Sequence, residues 1–386
     1  MSDKKPKLFV HGCYIGTTGF NNHTRDFFRE VSKTYQTKIR NFTVSKDWNG
    51  LEDEPFNKEE YLTPQDKILL DQQTYFDNEK ELKDFPIYQN HLNNFDHNLN
   101  IVLAEVNHHY FYQNYEGPKI GYTVWETTRY PDQFFNKLKE YDQIWVPSEW
   151  QKQCTIEQGI PEKKIKVVPE AVDSKIFHPN SDVTLSEYDD GRFKFTVFGR
   201  WDYRKSTKEI IESFLEEFDK DEPVDLIISI DNPFAKDDFE STEERLKYYN
   251  LEDPRLKIKH FPTREEYIKY LQKGHVFLSC ARSEGWNLPL IEAMACGTPS
   301  IYSNCSAQLE FAKGRGLPVK IKGTTPALGG EYSTYSQSDL SGEFYKPDYE
   351  DLKKVMRDSY VNYKKHKKKA LKESIEIREK FTWTNM

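Results

Sequence analysis

Long hydrophobic runs are absent from this 386-residue sequence, in which no stretch of about 18 apolar residues could span a bilayer. The polar segment Met1–Lys7 is not followed by the apolar core of a secretory signal peptide. The five cysteines form no C-x-x-C pair, which is typical of a reduced protein without a disulfide framework. These absences favour a cytoplasmic protein over a secreted or membrane-spanning one.

An excess of positive charge is also lacking. The 55 Lys and Arg residues face 63 Asp and Glu residues, and the net charge of -8 argues against a nucleic-acid partner. The dense basic run Lys364–Lys369 is the local exception. On a helix it would suit peripheral contact with an anionic membrane, but a solvated helix face is the simpler interpretation.

Motifs for two common classes of ligand are missing. Gly12–Gly19 lacks the G-x-G-x-x-G spacing of a dinucleotide site, and Phe42–Val44 offers no acidic residue for a ribose, which disfavours a dehydrogenase. The pairs Asp189–Asp190 and Asp237–Asp238 are interpreted as turn or surface residues, so no convincing set of metal ligands remains. We therefore expect neither a metal nor a cofactor.

Length and pattern together predict two α/β domains. The chain exceeds the roughly 250 to 300 residues at which a single core usually stops growing. Short apolar segments alternate with helix-sized intervals in two separate stretches, which predicts parallel sheets. The predicted strands are Lys7–Tyr14, Ile39–Val44, Ile101–Val106, Lys119–Trp125, Gln143–Val146 and Lys166–Val168, then Phe193–Phe198, Val224–Ile230, Leu256–Phe261 and Val276–Ser279.

The segments between these strands give weaker signals. Residues 45–100 are polar and predict loops and insertions, and residues 169–190 predict an interdomain connection. Helix ends are indicated by Ser148, by the capping box of Thr263 and Glu266, and by the stop signal Gly297. From residue 347 to residue 381 the sequence is charged and compatible with a helix.

Ser283–Pro299 is the strongest candidate for a functional site. It follows a predicted strand and opens a helix, which places Glu284 in the loop and Glu292 in the first turns of the helix. Both carboxylates can then face a ligand at the carboxyl edge of the sheet. Free N–H groups near Leu288 and Leu290 would favour an anion. The alternative is an ordinary helix with a solvated glutamate.

Phe198–Lys205 is the second candidate because it follows the first strand of the second domain. Arg200 would offer a bidentate guanidinium and Lys205 a mobile ammonium, which together neutralise a departing diphosphate. If these residues are considered without their position in the fold, a solubilising loop is the alternative interpretation. Their place after a strand favours the functional interpretation.

These motifs, with Ala295–Ser300, resemble the donor domain of retaining GT-B glycosyltransferases of the large family four. Val167–Asp173 is similar to that family's interdomain hinge, and Phe381–Trp383 to the end of its last helix. The resemblance implies two Rossmann-like domains facing each other across a cleft. It assigns residues 1–172 to an acceptor domain, 173–192 to a connection, 193–362 to a nucleotide-sugar donor domain and 363–386 to a helix that packs back on the N-terminal domain.

The resemblance also implies a reaction. A hexose moves from a nucleotide diphosphate sugar to an acceptor hydroxyl, with retention and without a metal, and the acceptor is a glycan or glycoconjugate. Arg200 and Lys205 bind the diphosphate, Glu284 the sugar hydroxyls and Glu292 the ribose, with the base near Phe261. The implied donor-binding set is Gly16, Gly19, Gly199, Arg200, Lys205, Phe261, Pro262, Glu284, Gly285, Trp286, Asn287, Leu288 and Glu292.

The sequence departs from that family at two places. Asn287 stands where many relatives have Gly, although Asn tolerates a left-handed turn. Trp125 and Glu126 stand where many relatives present a His near the sugar. Glu126 is either a further catalytic candidate that binds donor or acceptor hydroxyls or a residue that caps the turn. His108, the remaining acceptor candidate, has a packing role as its alternative.

Two other functions stay open on this architecture. One is a nucleotide-sugar epimerase, and the other is a catalytically silent nucleotide-sugar binder, for which Trp125 and Glu126 are the hints. The pairing of Arg200 and Lys205 with Glu284 and Glu292 favours transfer. The identity of the nucleotide and of the sugar is left undetermined.

Overall fold

The computed structural model describes residues 5–14, 19–41, 69, 99–103, 117–188, 190–231, 239, 241–261, 263–328 and 340–386. The chain divides into two units. Unit 1 comprises residues 1–125 and 130–170, and unit 2 comprises residues 126–129 and 171–386. The main change of unit therefore follows Glu170, and the short segment 126–129 leaves unit 1 for unit 2.

Unit 1 is built on a parallel sheet. Its described elements are β1 Lys7–Gly12, α1 Gly19–Val31, β2 Gln36–Asn41, β3 Leu99–Leu103, β4 Lys119–Tyr122, α2 Asp132–Leu138, β5 Gln143–Val146, α3 Glu149–Glu157 and β6 Ile165–Val167. The strand order is β2-β1-β3-β4-β5-β6, and every neighbouring pair is parallel. The predicted α/β alternation is confirmed for this half.

The first strand and the first helix of unit 1 pack closely. A Cβ atom at Gly12 would lie 3.0 Å from the Thr24 side chain and 3.2 Å from the Leu103 carbonyl oxygen. Glycine is therefore the residue that lets α1 approach the end of β1. The Asn21 amide donates to the Cys13 carbonyl (3.1 Å) and the Arg25 guanidinium to the Tyr14 carbonyl (2.6 Å), which fixes the chain where β1 ends.

Unit 2 carries a second sheet of six parallel strands. Its elements are β7 Phe193–Phe198, α4 Thr207–Glu217, β8 Val224–Ser229, α5 Thr242–Tyr248, β9 Leu256–Ile258, α6 Arg264–Lys273, β10 Val276–Ser279, α7 Leu288–Ala295, β11 Ser300–Ser303, α8 Leu309–Ala312, β12 Leu317–Val319, β13 Ile321–Leu328, β14 Leu340–Pro347, α9 Tyr349–Val361 and α10 Tyr363–Lys380. The sheet has the order β12-β11-β10-β7-β8-β9, and β13 and β14 form a separate antiparallel pair. The apolar run of β7 is buried along its whole length, as expected for a central parallel strand.

Several local predictions are confirmed. The Ser148 hydroxyl accepts from the Gln151 N–H (3.0 Å) at the start of α3, and the Thr263 hydroxyl accepts from the Glu266 N–H (3.2 Å) at the start of α6. Gly297, with a φ of +69°, follows the end of α7. Capping side chains and left-handed glycines therefore set these helix ends as the sequence indicates.

Other elements differ from the sequence prediction. The strands β11 and β12 and the pair β13–β14 were not predicted. The helix expected over residues 347–381 is two helices, which meet at Asn362 with a φ of -104° and a ψ of 26°. The segment 126–129 was expected to belong with its sequence neighbours, but the Thr128 hydroxyl accepts from the Glu343 N–H (2.9 Å) of β14 in unit 2.

The last helix, α10, packs on α7 and α9 within unit 2. Its basic run is partly used in this packing: the Lys367 ammonium donates to the Gly297 carbonyl (2.8 Å) and the Lys369 ammonium to the Gly316 carbonyl (3.0 Å). Lys364, Lys365 and Lys368 are exposed. A contact of α10 with the N-terminal domain stays a prediction. Among the helices of the described residues, none has the length and apolarity needed to cross a bilayer.

Candidate functional site

The topology of unit 2 brings two loops together. The chain leaves β7 toward β8 and β9 on one side and returns to β10 on the other side of β7. In an open parallel sheet such a reversal leaves a crevice at the carboxyl ends of the two central strands, where ligands bind. The loops that follow β7 and β10 contain the two candidate motifs, so both motifs lie at this crevice.

The loop after β7 is fixed by Arg282, which belongs to the loop after β10. The Arg282 guanidinium donates to the Tyr203 carbonyl (3.1 Å) and to the Glu209 carboxylate (2.7 Å), and its backbone N–H donates to the Arg204 carbonyl (2.7 Å). These bonds hold the backbone of residues 203 and 204 against the loop after β10. The two loops therefore present their side chains as one surface.

Four charged side chains meet there. The Lys205 ammonium lies 2.6 Å from Oε1 of Glu284, and Nη1 of Arg204 lies 2.8 Å from Oε2 of the same carboxylate. Nη2 of Arg204 lies 3.0 Å from Oε1 of Glu126. Glu284 and Arg204 are almost completely buried, whereas the Lys205 side chain is 21% exposed. The cluster holds two cations and two carboxylates.

Burial and the neighbouring cations shift the pKa of Glu284 in opposite directions. Burial favours the neutral carboxylic acid, but the Arg204 and Lys205 cations outweigh burial and hold the pKa of Glu284 below its ordinary value. Burial lowers the pKa of Lys205, and Glu284 opposes that shift. An ionised Glu284 with two cationic partners follows from this arrangement.

Glu292 forms a second centre on α7, eight positions after Glu284 in the sequence. The Tyr267 hydroxyl donates to its Oε2 (2.5 Å), and the Arg264 guanidinium lies 3.9 Å from its Oε1. The Phe261 ring packs against the Tyr267 ring at a centroid distance of 5.9 Å, which brings the predicted base contact next to the predicted ribose contact. Burial, together with the charge of Glu292, raises the pKa of Tyr267, so this hydroxyl remains a donor at neutral pH.

Asn287 lies between Glu284 and Glu292 in the sequence, at the start of α7. It adopts a left-handed backbone with a φ of +89°, as the sequence suggested, and its side-chain oxygen caps the helix at the Leu290 N–H (3.4 Å). Its amide donates to the Ser279 hydroxyl (2.9 Å) and to Oε1 of Gln308 (2.7 Å). The Leu290 N–H is therefore not free for an anion, which corrects the prediction for that group.

The remaining predicted residues fall into different places. The Arg200 guanidinium lies 3.5 Å from Oδ2 of Asp202. Gly199 precedes it with a φ of +148°, and a Cβ there would meet no atom within 4 Å. Gly285 is buried, Leu288 is partly exposed and Gly19 opens α1. Gly16, His108 and Pro262 lie outside the described residues.

Two tryptophans were interpreted as ligand contacts, and the structure gives both a packing role. The Trp286 ring is buried between Phe311 and Phe381, at centroid distances of 5.3 and 6.3 Å. The Trp125 ring is buried in unit 1, where it stacks on Tyr130 at 5.3 Å. Large aromatic side chains of this kind gain more from filling a core than from lining a polar crevice.

Sequence reasoning missed Arg204, Arg282 and Tyr267. The adjacency of Arg204 and Lys205 was the available signal for the first, since two cations in a strand-end loop are better placed for an anion than one. No local signal distinguishes Tyr267 from the other aromatics of its helix. Its role depends on the packing of α6 against α7.

Comparison with known proteins adds to this geometry. Residues 185–316 match the family Glycosyl transferases group 1. A candidate glycosyltransferase of Sulfolobus islandicus filamentous virus is 43% identical over 56 residues, which cover 14% of this chain and 17% of that relative. The Anabaena protein Alr3699/HepE, solved in complex with UDP-glucose, is similar with a TM-score of 0.74 at 13% identity, over 98% of this chain and 97% of that one.

A second solved structure extends the likeness. Trehalose-6-phosphate synthase, studied for its mechanism of glycosyl transfer with retention, has a TM-score of 0.65 at 10% identity, over 98% of this chain and 96% of that chain. The similarity covers almost the whole chain. The protein has the GT-B glycosyltransferase fold. The prediction of two α/β domains with the GT-B fold is therefore confirmed. Apart from Glu126, the candidate site lies within residues 185–316, the segment that matches the group 1 family.

Proposed function

We propose that this GT-B protein is a glycosyltransferase that moves a hexose from a nucleotide diphosphate sugar to an acceptor hydroxyl. The cluster of Lys205, Arg204 and Glu284 carries the proposal, because it joins two cations and a buried carboxylate at the switch point of the sheet. The match of residues 185–316 to group 1 glycosyl transferases supports it. The donor occupies unit 2 and the acceptor the N-terminal domain.

The chemistry is a displacement at the anomeric carbon. The bond from this carbon to the donor phosphate oxygen breaks, and its electron pair stays on the phosphate. The acceptor oxygen bonds to the same face of the carbon and gives its proton to the leaving phosphate, which retains the anomeric configuration. Arg200 and Lys205 stabilise the charge that develops on the diphosphate, and this stabilisation supplies the main lowering of the barrier.

We include metal independence in the proposal because these side chains already offer the positive charge that the leaving group needs. Glu284 accepts hydroxyls of the donor sugar, for which an ionised carboxylate has unused lone pairs. Glu292 accepts the ribose hydroxyls beside Tyr267, and the base lies near Phe261. Activity that survives EDTA, with the product configuration read by NMR coupling constants, tests metal independence and retention.

Release of nucleoside diphosphate from a panel of UDP, GDP and ADP sugars tests the transfer itself. Wild type should turn over at least one donor, and Glu284→Gln and Lys205→Ala should lose turnover while keeping their melting transitions. Lys353→Ala and Glu216→Gln are matched controls, because these two residues form an ion pair (3.0 Å) on unit 2 in which the glutamate is exposed and the lysine is partly buried. Donor binding without turnover in wild type would favour a silent binder, and conversion of the nucleotide sugar to its epimer without an acceptor would favour an epimerase.

Peripheral membrane contact through Lys364–Lys369 stays a prediction. Two of its lysines bind carbonyls within unit 2, which leaves Lys364, Lys365 and Lys368 for an anionic surface. Sedimentation with vesicles of anionic lipid at low and moderate salt tests it. The absence of binding at both salt concentrations would end the idea.

A further inference from the structure

We propose that Arg204 is a positioning residue that holds Glu284 and Glu126 together and so frees Lys205 to move from Glu284 to the donor diphosphate. This inference rests on the proposed function. It gives Arg204 a role that could not be deduced from the G-R-x4-K spacing or from the two glutamates of the site. It also gives Glu126 a fixed place beside the donor.

The contacts of Arg204 show a side chain held in one position. Nη1 donates to the Ser283 carbonyl (2.9 Å) and pairs with Glu284 (2.8 Å), while Nη2 pairs with Glu126 (3.0 Å). The Arg204 backbone N–H donates to Oδ1 of Asp202 (2.7 Å), and its carbonyl accepts from Arg282. A planar guanidinium matches several acceptors at once, which a lysine ammonium cannot reproduce.

Lys205 differs from Arg204 in freedom of movement. Its ammonium has a single ion-pair partner among the described carboxylates, Glu284, and its side chain is 21% exposed against 2% for Arg204. A flexible four-carbon stem lets such an ammonium swing to a nearby phosphate. Lys205 is therefore the cation that can leave, and Arg204 is the cation that stays.

The need for Arg204 follows from the charges. When Lys205 moves to the donor diphosphate, Glu284 loses one of its two cations. A buried carboxylate without a counterion is strongly disfavoured, so the move would be opposed if Arg204 were absent. With Arg204 in place, Oε2 of Glu284 stays paired and Oε1 becomes available to a sugar hydroxyl. Glu126, on the other arm of the guanidinium, is held where it can accept a second hydroxyl.

The fall of kcat/KM at acid pH, here called the acid limb, distinguishes a positioning role of Arg204 from a general structural role. Among the described residues, the charged and titratable groups near Glu284 include Arg204, Lys205, Glu126 through Arg204, and the Cys305 thiol, whose pKa burial raises to about 12. In Arg204→Met, Glu284 has lost a cation, and its pKa should rise. The acid limb of kcat/KM should then move up by about one pH unit or more.

The conservative variant and a matched control complete the test. Arg204→Lys restores the positive charge but not the planar guanidinium that binds several acceptors at once. Its acid limb should therefore lie between those of wild type and Arg204→Met, and its donor KM should rise at least about tenfold. Arg255→Lys is the control, because Arg255 is also buried in unit 2 and pairs with Asp253 (2.9 Å) away from the site. It should lower the melting temperature without moving the limb. If Arg204→Met does not fold, Arg204→Lys carries the test alone.

The outcomes separate this inference from the function beneath it. If wild type turns over a donor and the Arg204 variants have the same acid limb and donor KM as wild type, the role of Arg204 is overturned but the proposed function is not. A wild type that neither binds donors in calorimetry nor turns them over would overturn both. A shifted limb in the Arg204 variants and an unshifted one in Arg255→Lys would support the inference.

Discussion

Asn287 offers a prediction whose size can be worked out from its contacts. It combines a φ of +89°, a helix cap at Leu290, and two amide hydrogen bonds to Ser279 and Gln308. Asn287→Gly keeps the backbone free to adopt this φ and loses the side-chain contacts. Asn287→Ala loses the same contacts and in addition places a Cβ in a left-handed conformation.

The expected difference in unfolding free energy between the two variants is the sum of the backbone strain and the difference in helix capping. A left-handed conformation costs an ordinary residue about 1–2 kcal/mol, and alanine is a worse N-cap than glycine by up to about 1 kcal/mol. The alanine variant should therefore be less stable than the glycine variant by about 2 kcal/mol. For a unit of this size that is a difference of roughly 4–8 °C in melting temperature.

Thermal unfolding of the full chain, followed calorimetrically, measures this difference. The exposed residue Asn250 is a control, because its φ is +55° and it caps no helix N-terminus. Its Gly and Ala variants should differ by only about 1–2 kcal/mol of strain. An Asn287→Ala variant as stable as Asn287→Gly would refute the left-handed turn and, with it, the placement of Glu284 and Glu292.

Three further predictions concern the same chain. Gly199→Ala should cost about 1–3 kcal/mol in a denaturant melt through backbone strain alone, since its Cβ would meet no atom within 4 Å; a neutral result would contradict the φ of +148°. Tyr267→Phe should weaken binding of the nucleotide diphosphate in calorimetry more than it weakens turnover of bound donor, because the lost hydroxyl orients Glu292; unchanged affinity would argue against a ribose site there. Burial lowers the pKa of His23 to about 3, below its ordinary 6.5, so the unfolded state binds the proton more readily between these values. Stability should therefore fall by about 2 kcal/mol as pH drops from 7 to 5, and His23→Gln should lack this part of the fall in urea titrations at the two pH values.

Elements set by local chemistry could be predicted from the sequence. The strand β7 and the strand β10 were placed at their observed bounds, because a short apolar run between helix-sized polar segments has few other solutions. The caps at Ser148 and Thr263 were identified because a hydroxyl three residues before its backbone donor acts within one turn. The position of Glu284 in the loop after β10 was predicted for a similar reason, because it follows the end of a recognisable strand.

Features set by distant contacts could not be predicted. An arginine can lie in a solvated loop or form a buried ion pair, and the local sequence around Arg204 does not distinguish the two. Its burial is decided by Ser283 and Glu126, which lie 79 and 78 positions away in the sequence. The transfer of residues 126–129 to unit 2 likewise depends on β14, whose pairing with β13 gave no alternating pattern strong enough to recognise. The burial of the Trp286 ring could not be predicted either, because it depends on its core neighbours Phe311 and Phe381.

Direct binding of nucleotide sugars to the intact protein tests the central claim most closely. UDP, GDP and ADP sugars are titrated calorimetrically into wild type, Lys205→Ala and the control Lys353→Ala. The account predicts that at least one donor binds wild type and the control with equal affinity, and that Lys205→Ala binds it at least about tenfold more weakly, as expected when a charge-assisted contact to phosphate is lost. If no nucleotide sugar binds, or if Lys205→Ala binds as tightly as wild type, the donor site is not where we place it.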